Sequence, residues 1–262
     1  MSSSPEISGK PLLVAQDVSV TFPSGNGGLS ALEGVSFSVW SEEFLCILGP
    51  SGSGKSTLLR ALAGLLPPSE GSITLDGSLL VAPRRRTGLV FQKANLMPWR
   101  TVIENIALPL ELSRVHGAQA RLQAEELIDL VGLAGFEDTL PRDLSGGMAQ
   151  RVAIARALVY DPDILLLDEP FGSLDALTRE RMGAELLRIW QARRKTVVMV
   201  THSIPEAIYL ADRVLVLSSR PGRLVLNLPV NLPRPRIDEM HYTAEFGDLA
   251  REVRGAIQQD NS

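Results

Sequence analysis

The chain has 262 residues, 45% of them hydrophobic, and a formal net charge of −4. That describes an ordinary globular protein long enough to bury a sizeable core, and the mildly acidic balance argues against nucleic acid as a bulk electrostatic partner. A single cysteine, Cys46, excludes an internal disulfide, and no run approaches the roughly 18 apolar residues that a membrane span requires.

Residues 1–10 lack the apolar stretch of a signal peptide and are expected to form a disordered tail. Residues 17–22 and 35–40 alternate apolar and polar side chains, as half-buried antiparallel strands do, with turn material from Pro23 to Gly28 between them. Residues 44–48 are a short apolar run suited to a buried strand, in which Cys46 packs as a small, reduced hydrophobe. Next comes Gly49-Pro50-Ser51-Gly52-Ser53-Gly54-Lys55-Ser56, a complete GxxxxGK[ST] loop. Residues 56–66 then place Leu58, Leu59, Leu62 and Leu65 at helical spacing.

Strand, glycine-rich turn and helix in that order form the context a phosphate-binding loop needs. The glycines let backbone N–H groups turn inward around a polyphosphate, and the helix N-terminus adds partial positive charge. Lys55, one of four lysines in the chain, would reach the outer phosphates, and the Ser56 hydroxyl would ligate Mg²⁺.

Residues 72–75 read as a strand ended by an Asp76-Gly77 turn. Short apolar strands are expected at 87–91, 163–167, 196–200 and 213–217, separated by helical patterns, which signals a parallel sheet covered by helices. Between 91 and 163 the character changes. Residues 102–112, 118–130 and 148–159 are helical in pattern, so a mostly helical subdomain (about 93–160) interrupts the sheet. A strand-like stretch at 223–228 precedes Pro233-Arg234-Pro235 and a charged helical tail.

Several further segments fit the phosphate loop. An apolar strand runs directly into Asp168-Glu169-Pro170. These are either two solvated acids at a strand end, or an Asp for Mg²⁺ beside a Glu that orients or deprotonates an attacking water. Leu144-Ser145-Gly146-Gly147 opens a helix. It reads either as an N-cap serine with flexible glycines or as a second phosphate-seeking helix N-terminus. One chain needs one cradle per nucleotide, so a second suggests the γ-phosphate held by another subunit.

At this point the chain resembles the nucleotide-binding subunit of an ABC transporter, over roughly residues 12–222. The motifs stand in the family's order: the phosphate loop at 49–56, the Q-loop glutamine Gln92, the LSGG signature at 144–147, Asp168-Glu169, the D-loop Ser173-Leu174-Asp175 and the switch histidine His202. Phe22 stands where the family places the aromatic that stacks on adenine. The segments Leu96-Met97-Pro98-Trp99, the run from Ser145 to Ala157, Glu206 to Val214 and Arg220-Pro221-Gly222-Arg223 resemble the nitrate, sulfonate and taurine importer ATPases. Two positions depart from that pattern: Ser203, where an Asp usually follows the histidine, and Arg100, where an apolar residue is commoner.

The resemblance implies an α/β fold: a P-loop ABC ATPase with a RecA-like parallel-sheet core, an antiparallel β subdomain and an inserted helical subdomain. It places the ATP-binding domain at 11–220 and a C-terminal extension at 221–262. The cofactors it implies are ATP and Mg²⁺. ATP would be held by Phe22, Gly49, Pro50, Ser51, Gly52, Ser53, Gly54, Lys55, Ser56, Thr57 and Gln92, and capped by Ser145, Gly146 and Gly147 of a second copy. Mg²⁺ would sit on Ser56, Gln92 and Asp168; Glu169, His202 and Lys55 would do the chemistry. The implied partners are a second ATPase subunit, a transmembrane permease and, through it, a substrate-binding protein, on the cytoplasmic face of the inner membrane, with no nucleic acid.

Two other classes use the same cradle. Soluble ABC ATPases of DNA repair or the ribosome usually carry two cassettes or a long coiled coil, which this chain lacks. A P-loop kinase or GTPase would leave the LSGG segment without a purpose. Among the remaining residues, His116 and His241 are expected at the surface, Trp190 in the core with Met182, Leu186 and Leu187, and Arg84-Arg85-Arg86 in a solvated turn. Trp99 either caps the helical subdomain or waits for a partner.

Overall fold

The computed structural model describes residues 10–23 and 28–259; the expected tail at 1–9 and the turn residues 24–27 lie outside the described residues. The chain divides into two compact units, Met1–Arg84 with Thr196–Ser262, and Arg85–Lys195. In chain order the first unit begins with β1 (Leu13–Phe22), β2 (Leu29–Val39), β3 (Phe44–Leu48), α1 (Lys55–Leu62), β4 (Glu70–Leu75) and β5 (Ser78–Leu79). The second holds β6 (Thr87–Val90), α2 (Val102–Leu112), α3 (Ala118–Leu130), α4 (Gly146–Leu158), β7 (Ile164–Asp168) and α5 (Ala176–Arg193). The chain then returns to the first unit with β8 (Thr196–Val200), α6 (Ile204–Leu210), β9 (Arg213–Leu217), β10 (Leu224–Pro229) and α7 (Ala244–Gln259).

An antiparallel sheet in the order β2-β1-β4-β5 forms one side of the first unit. β1 starts earlier than alternation alone suggests, because its pattern changes phase. Leu13 and Ala15 are buried, then Val18 and Val20, and the pairing to both β2 and β4 shifts register between these pairs. Asp17 sits there with φ 49°, a bulge that inserts one residue and bends the strand. Gly71 is required opposite it: a Cβ there would lie 2.3 Å from the carbonyl oxygens of Gln16 and Asp17.

β3 pairs in parallel with β8 on one side and β9 on the other, and β10 runs antiparallel to β9. All five residues of β3 are buried, as expected for a strand covered on both faces. Full burial of each large apolar side chain contributes about 1.5–3 kcal/mol, so this strand is a rigid support for the loop that leaves its end. Arg213 at the start of β9 ties the two sheets together. Its Nε lies 2.7 Å from Glu43 Oε1, its guanidinium donates to the Ser38 carbonyl at 2.5 Å and it covers the Trp40 ring at 4.8 Å. Both members of the ion pair are nearly buried, and removing one partner from such a pair costs about 3–5 kcal/mol.

α1 is shorter than the leucine spacing predicts. It ends at Leu62, and Gly64, at φ 72°, turns the chain so that Leu65 is exposed. A Cβ on Gly64 would lie 2.6 Å from the Ala82 backbone, so the turn is fixed by a close approach that leucine periodicity does not reveal.

In the second unit β6 and β7 pair in parallel, and α2, α3 and α4 pack on one another. α2 opens with a capping box in which the Thr101 hydroxyl and the Glu104 carboxylate satisfy each other's backbone N–H groups. Trp190 is buried on α5 beside Met182, Leu186 and Leu187. The arginine turn is held rather than merely solvated: Arg85 covers the Tyr160 ring and Arg86 pairs with Asp163.

His241 departs from the surface position expected for it. It is half-buried and stacks on Tyr209 at 4.8 Å and against Phe246 at 4.7 Å, linking α7 to α6. Arg234 and Arg236 cap the end of α6 by donating to the carbonyls of Leu210 and Ala211. Burial, with Arg234 alongside, holds Arg236 down at about 10.

Cys46 is fully buried, and burial, followed by the carboxylates of Glu206 and Asp212, pushes its thiol well above the ordinary value of 9.0. The thiol is neutral in both states at neutral pH; above its ordinary value only the unfolded thiol ionises, so its contribution to stability falls as pH rises through that range. The stability lost in Cys46→Ala should therefore be smaller at about pH 10 than at about pH 8 in urea unfolding, and thiol reagents should label the wild type only after unfolding.

Candidate functional site

In the first unit the phosphate loop leaves the carboxyl end of β3 and runs into α1. Ile47 pairs with Val200 of β8, so His202, exposed just beyond Val200, emerges beside the loop at the same ends of neighbouring strands. Carboxyl ends of parallel strands are where open α/β sheets bind ligands. The Thr201 N–H donates to the Ile47 carbonyl at 3.1 Å and fixes this departure. Phe22 lies at the end of β1 and is 37% exposed, and Ser56 and Thr57 sit half-buried in the first turn of α1.

The loop is built for backbone contact. A Cβ on Gly49 would lie 2.7 Å from Ser53 Oγ and 2.9 Å from the Leu217 carbonyl, and one on Gly54 would lie 2.6 Å from the Ala31 carbonyl. Gly52 and Gly54 have φ of 80° and 88°, which favour glycine. Ser53 is fully buried with no hydrogen-bond partner for its hydroxyl. Pro50 and Ser51 line the open rim. Lys55 is buried, and its ammonium is held 2.9 Å from the Gly49 carbonyl and 2.8 Å from that of Pro50.

The helix starts complete the contrast. α2, α4, α5 and α6 have their first-turn N–H groups accepted by the side chains of Thr101, Ser145, Asp175 and Ser203. α1 and α3 start at Gly54 and Gly117 with no side-chain cap. The start of α1, unlike that of α3, lies beside a buried ammonium and a glycine cradle, which fits a bound polyphosphate. Ser203, which departs from the family pattern, still caps α6 by accepting from the Glu206 N–H.

The second unit presents its residues in the same way. Val90 of β6 pairs with Leu167 of β7, so Gln92 and Glu169 each lie two residues past paired strand ends. A Cβ on Gly172 would lie 3.4 Å from both Gln92 Nε2 and Glu169 Oε2, which brings the amide and the carboxylate together around one glycine. Asp168 is buried at the end of β7, and Glu169 is half-buried. Glu169 has φ 44°, a left-handed backbone that costs a non-glycine residue about 1–3 kcal/mol and concentrates at functional sites.

No group of three or more His, Cys, Asp or Glu side chains able to hold a metal occurs among the described residues. A magnesium site needs none of that kind where phosphate oxygens, a hydroxyl and water fill most of the shell. Ser145 and Gly146 are exposed at the start of α4 while Gly147 is buried. The Ser145 hydroxyl accepts from the Met148 N–H at 3.3 Å.

Sequence reading missed the residues that hold the segment after Gln92. Asn105 is fully buried; its amide donates to the carbonyls of Met97, Arg100 and Thr101 at 2.9–3.2 Å and its oxygen accepts from the Met97 N–H at 2.8 Å. Gln150 of α4 donates to the Phe91 carbonyl, and Arg156 to those of Ala94 and Asn95. Burial lowers the pKa of Arg156. A polar residue inside an apolar helical run was the available signal for Asn105. Above this framework Trp99 stands 73% exposed, so the helical subdomain does not cover it. Arg100 pairs with Glu111 at 2.7 Å.

The sequence profile of the ABC transporter family matches residues 32–172. The chain belongs to the ABC transporter family. A taurine import ATP-binding protein of Burkholderia pseudomallei is 49% identical over 92% of this chain and 98% of the relative. An aliphatic sulfonates import ATP-binding protein of Bacillus cereus is 45% identical over 92% of both chains. An uncharacterized ABC transporter ATP-binding protein of Methanocaldococcus jannaschii is 48% identical over 87% of this chain and 85% of the relative. Among solved structures, a dimeric ATP-binding cassette in a post-hydrolysis state, bound to ADP and Pi, matches with a TM-score of 0.73 and 34% identity over 84% of this chain and all of that one. The fold is that of an ABC ATPase, and the chain is an ATP-binding subunit with ATPase activity.

Proposed function

We propose that this subunit hydrolyses ATP to energise the import of a small anionic solute, a sulfonate such as taurine or a comparable anion such as nitrate, through a separate permease. The observation that carries the nucleotide-binding part is the glycine cradle at 49–54 with the Lys55 ammonium fixed above it and the uncapped start of α1. The import part rests on the taurine and sulfonate import relatives, which match over nearly the whole chain.

The polyphosphate lies in the loop at residues 49–57, with Lys55 on its outer oxygens and Phe22 stacked on adenine. Ser56, Asp168 and Gln92 would hold Mg²⁺, which when bound neutralises charge on the phosphate oxygens. Glu169 takes a proton from the attacking water as general base. His202 donates to the γ-phosphate. Ser145, Gly146 and Gly147 of a second copy close over the nucleotide, so ATP joins two subunits and its hydrolysis removes the charge that held them. The dimeric cassette to which this chain is similar supports that arrangement.

The pair works at the cytoplasmic face of the membrane. No helix among the described residues is long and apolar enough to cross it. The permease docks on the loop bearing Trp99, whose large exposed apolar surface calls for a partner. Asn105, Gln150 and Arg156 hold this loop to α2 and α4, so a movement of α4 at its Ser145 end is carried to the docking surface.

Lys55→Ala should abolish ATP binding measured by calorimetry while the circular dichroism spectrum is retained; wild-type affinity would place the nucleotide elsewhere. Glu169→Gln should slow turnover by about 10²–10⁴-fold and, with ATP and Mg²⁺, accumulate a dimer on gel filtration. A variant that stays monomeric under those conditions contradicts the closed sandwich. Trp99→Ala should lower solute uptake by the assembled transporter while the isolated subunit still hydrolyses ATP, and cysteines at positions 97–100 should crosslink to cytoplasmic loops of the permease. Normal uptake with crosslinks only elsewhere would move the docking site.

A further inference from the structure

The turn between β9 and β10 lies against the phosphate loop. A Cβ on Gly222 would lie 2.0 Å from the Ser53 carbonyl oxygen, so only glycine fits there. Gly222 also donates to the Ala31 carbonyl at 2.9 Å and accepts from the Glu33 N–H at 3.0 Å. Ser218 braces the turn from inside: its hydroxyl lies 2.8 Å from the Ser219 carbonyl and 2.9 Å from that of Pro221, and accepts from the Arg223 N–H at 2.8 Å.

Arg220, at the tip of this turn, is exposed, and its Nε donates to the Gly52 carbonyl at 3.3 Å. Its terminal nitrogen is 3.3 Å from the place a Cβ on Gly52 would occupy. No carboxylate pairs with Arg220 among the described residues.

The peptide plane between Gly52 and Ser53 is thus held at both ends, by Arg220 on its carbonyl and by the Pro50 carbonyl on the Ser53 N–H at 3.2 Å. That plane is the loop's weak point. Gly52 sits at φ 80° with no side chain, where glycine passes readily between conformations. A flip would turn a carbonyl oxygen into a cradle that recognises anions through N–H groups, and the oxygen would repel the phosphate.

We propose that Arg220 is a positioning residue for the phosphate loop: its guanidinium keeps the Gly52 carbonyl facing out of the cradle and adds positive charge at its rim. It acts on nucleotide affinity rather than on the chemical step, because it touches the loop and none of the residues proposed to handle the attacking water. This inference rests on the reading of residues 49–57 as the nucleotide site.

The test measures the Kd for ATP, the KM and kcat, and nucleotide-free thermal stability of the full chain carrying Arg220→Ala or Arg220→Lys, with Lys55→Ala alongside. Arg220→Ala should raise Kd and KM about tenfold, the scale of one charge-assisted hydrogen bond. Its kcat at saturating ATP and its nucleotide-free Tm should stay close to wild type. Arg220→Lys, which keeps a charged donor of similar reach, should recover most of the affinity. An unchanged Kd in Arg220→Ala overturns the inference, and so does a weaker affinity accompanied by a lowered nucleotide-free Tm, which would mark a purely structural contact. If Lys55→Ala loses ATP while Arg220→Ala binds normally, the nucleotide site stands and only the role of Arg220 fails. If Lys55→Ala also binds normally, the site itself is misplaced.

Discussion

Everything at the nucleotide-binding end of the first unit depends on backbone packing against backbone. Gly49 approaches Leu217 of β9, Gly54 approaches Ala31 of β2, and Gly222 approaches Ser53 of the loop. Each contact is closer than any Cβ permits. The loop is therefore held in large part by segments distant in sequence. This arrangement sets aside the usual sources of local stability. α1 gives up its side-chain cap, worth about 1 kcal/mol in an ordinary helix, and Lys55 is buried with its ammonium on the Gly49 and Pro50 carbonyl oxygens. The buried strand β3 and the Glu43–Arg213 pair supply the rigidity that makes the arrangement tolerable.

The second unit follows a different rule: the segment after Gln92 is held by side chains reaching for backbone. Asn105 satisfies three carbonyls and one N–H of the loop before α2, while Gln150 and Arg156 fasten the preceding residues to α4. Buried polar groups placed in this way cost little when every partner is present and much when one is lost, so the loop has a small set of allowed positions. The Glu169 backbone, in a left-handed conformation next to Gly172, stores strain at the end of β7.

Much of this was legible in the chain. The glycine-rich loop between β3 and α1, the strands at 196–200 and 213–217 and the helices at 102–112 and 118–130 appear where motif and periodicity put them, because spacing and glycine content act locally. Three features were not legible. The bulge at Asp17 hid the first half of β1, since inserting one residue destroys the alternation that marks a strand. Gly64 cut short a helix whose leucines continued in register. His241 joined an aromatic stack with Tyr209, distant in sequence, and with Phe246, contacts that no periodic pattern marks.

The amino-acid sequence alone determined the chemistry: an ammonium, a hydroxyl, two carboxylates, an amide and a histidine in an order that matches one kind of ATPase, and the glycines that such chemistry requires. These are properties of residue type and spacing, and they survive without coordinates. Tertiary structure alone decided which of those groups share a surface and what holds them there. Gln92 meets Glu169 around Gly172 because β6 and β7 pair in register. Arg220 reaches Gly52, 168 residues earlier in the chain, because β9 lies beside β3. Strand pairing converts separation in sequence into contact, and no local pattern in the chain encodes that distance.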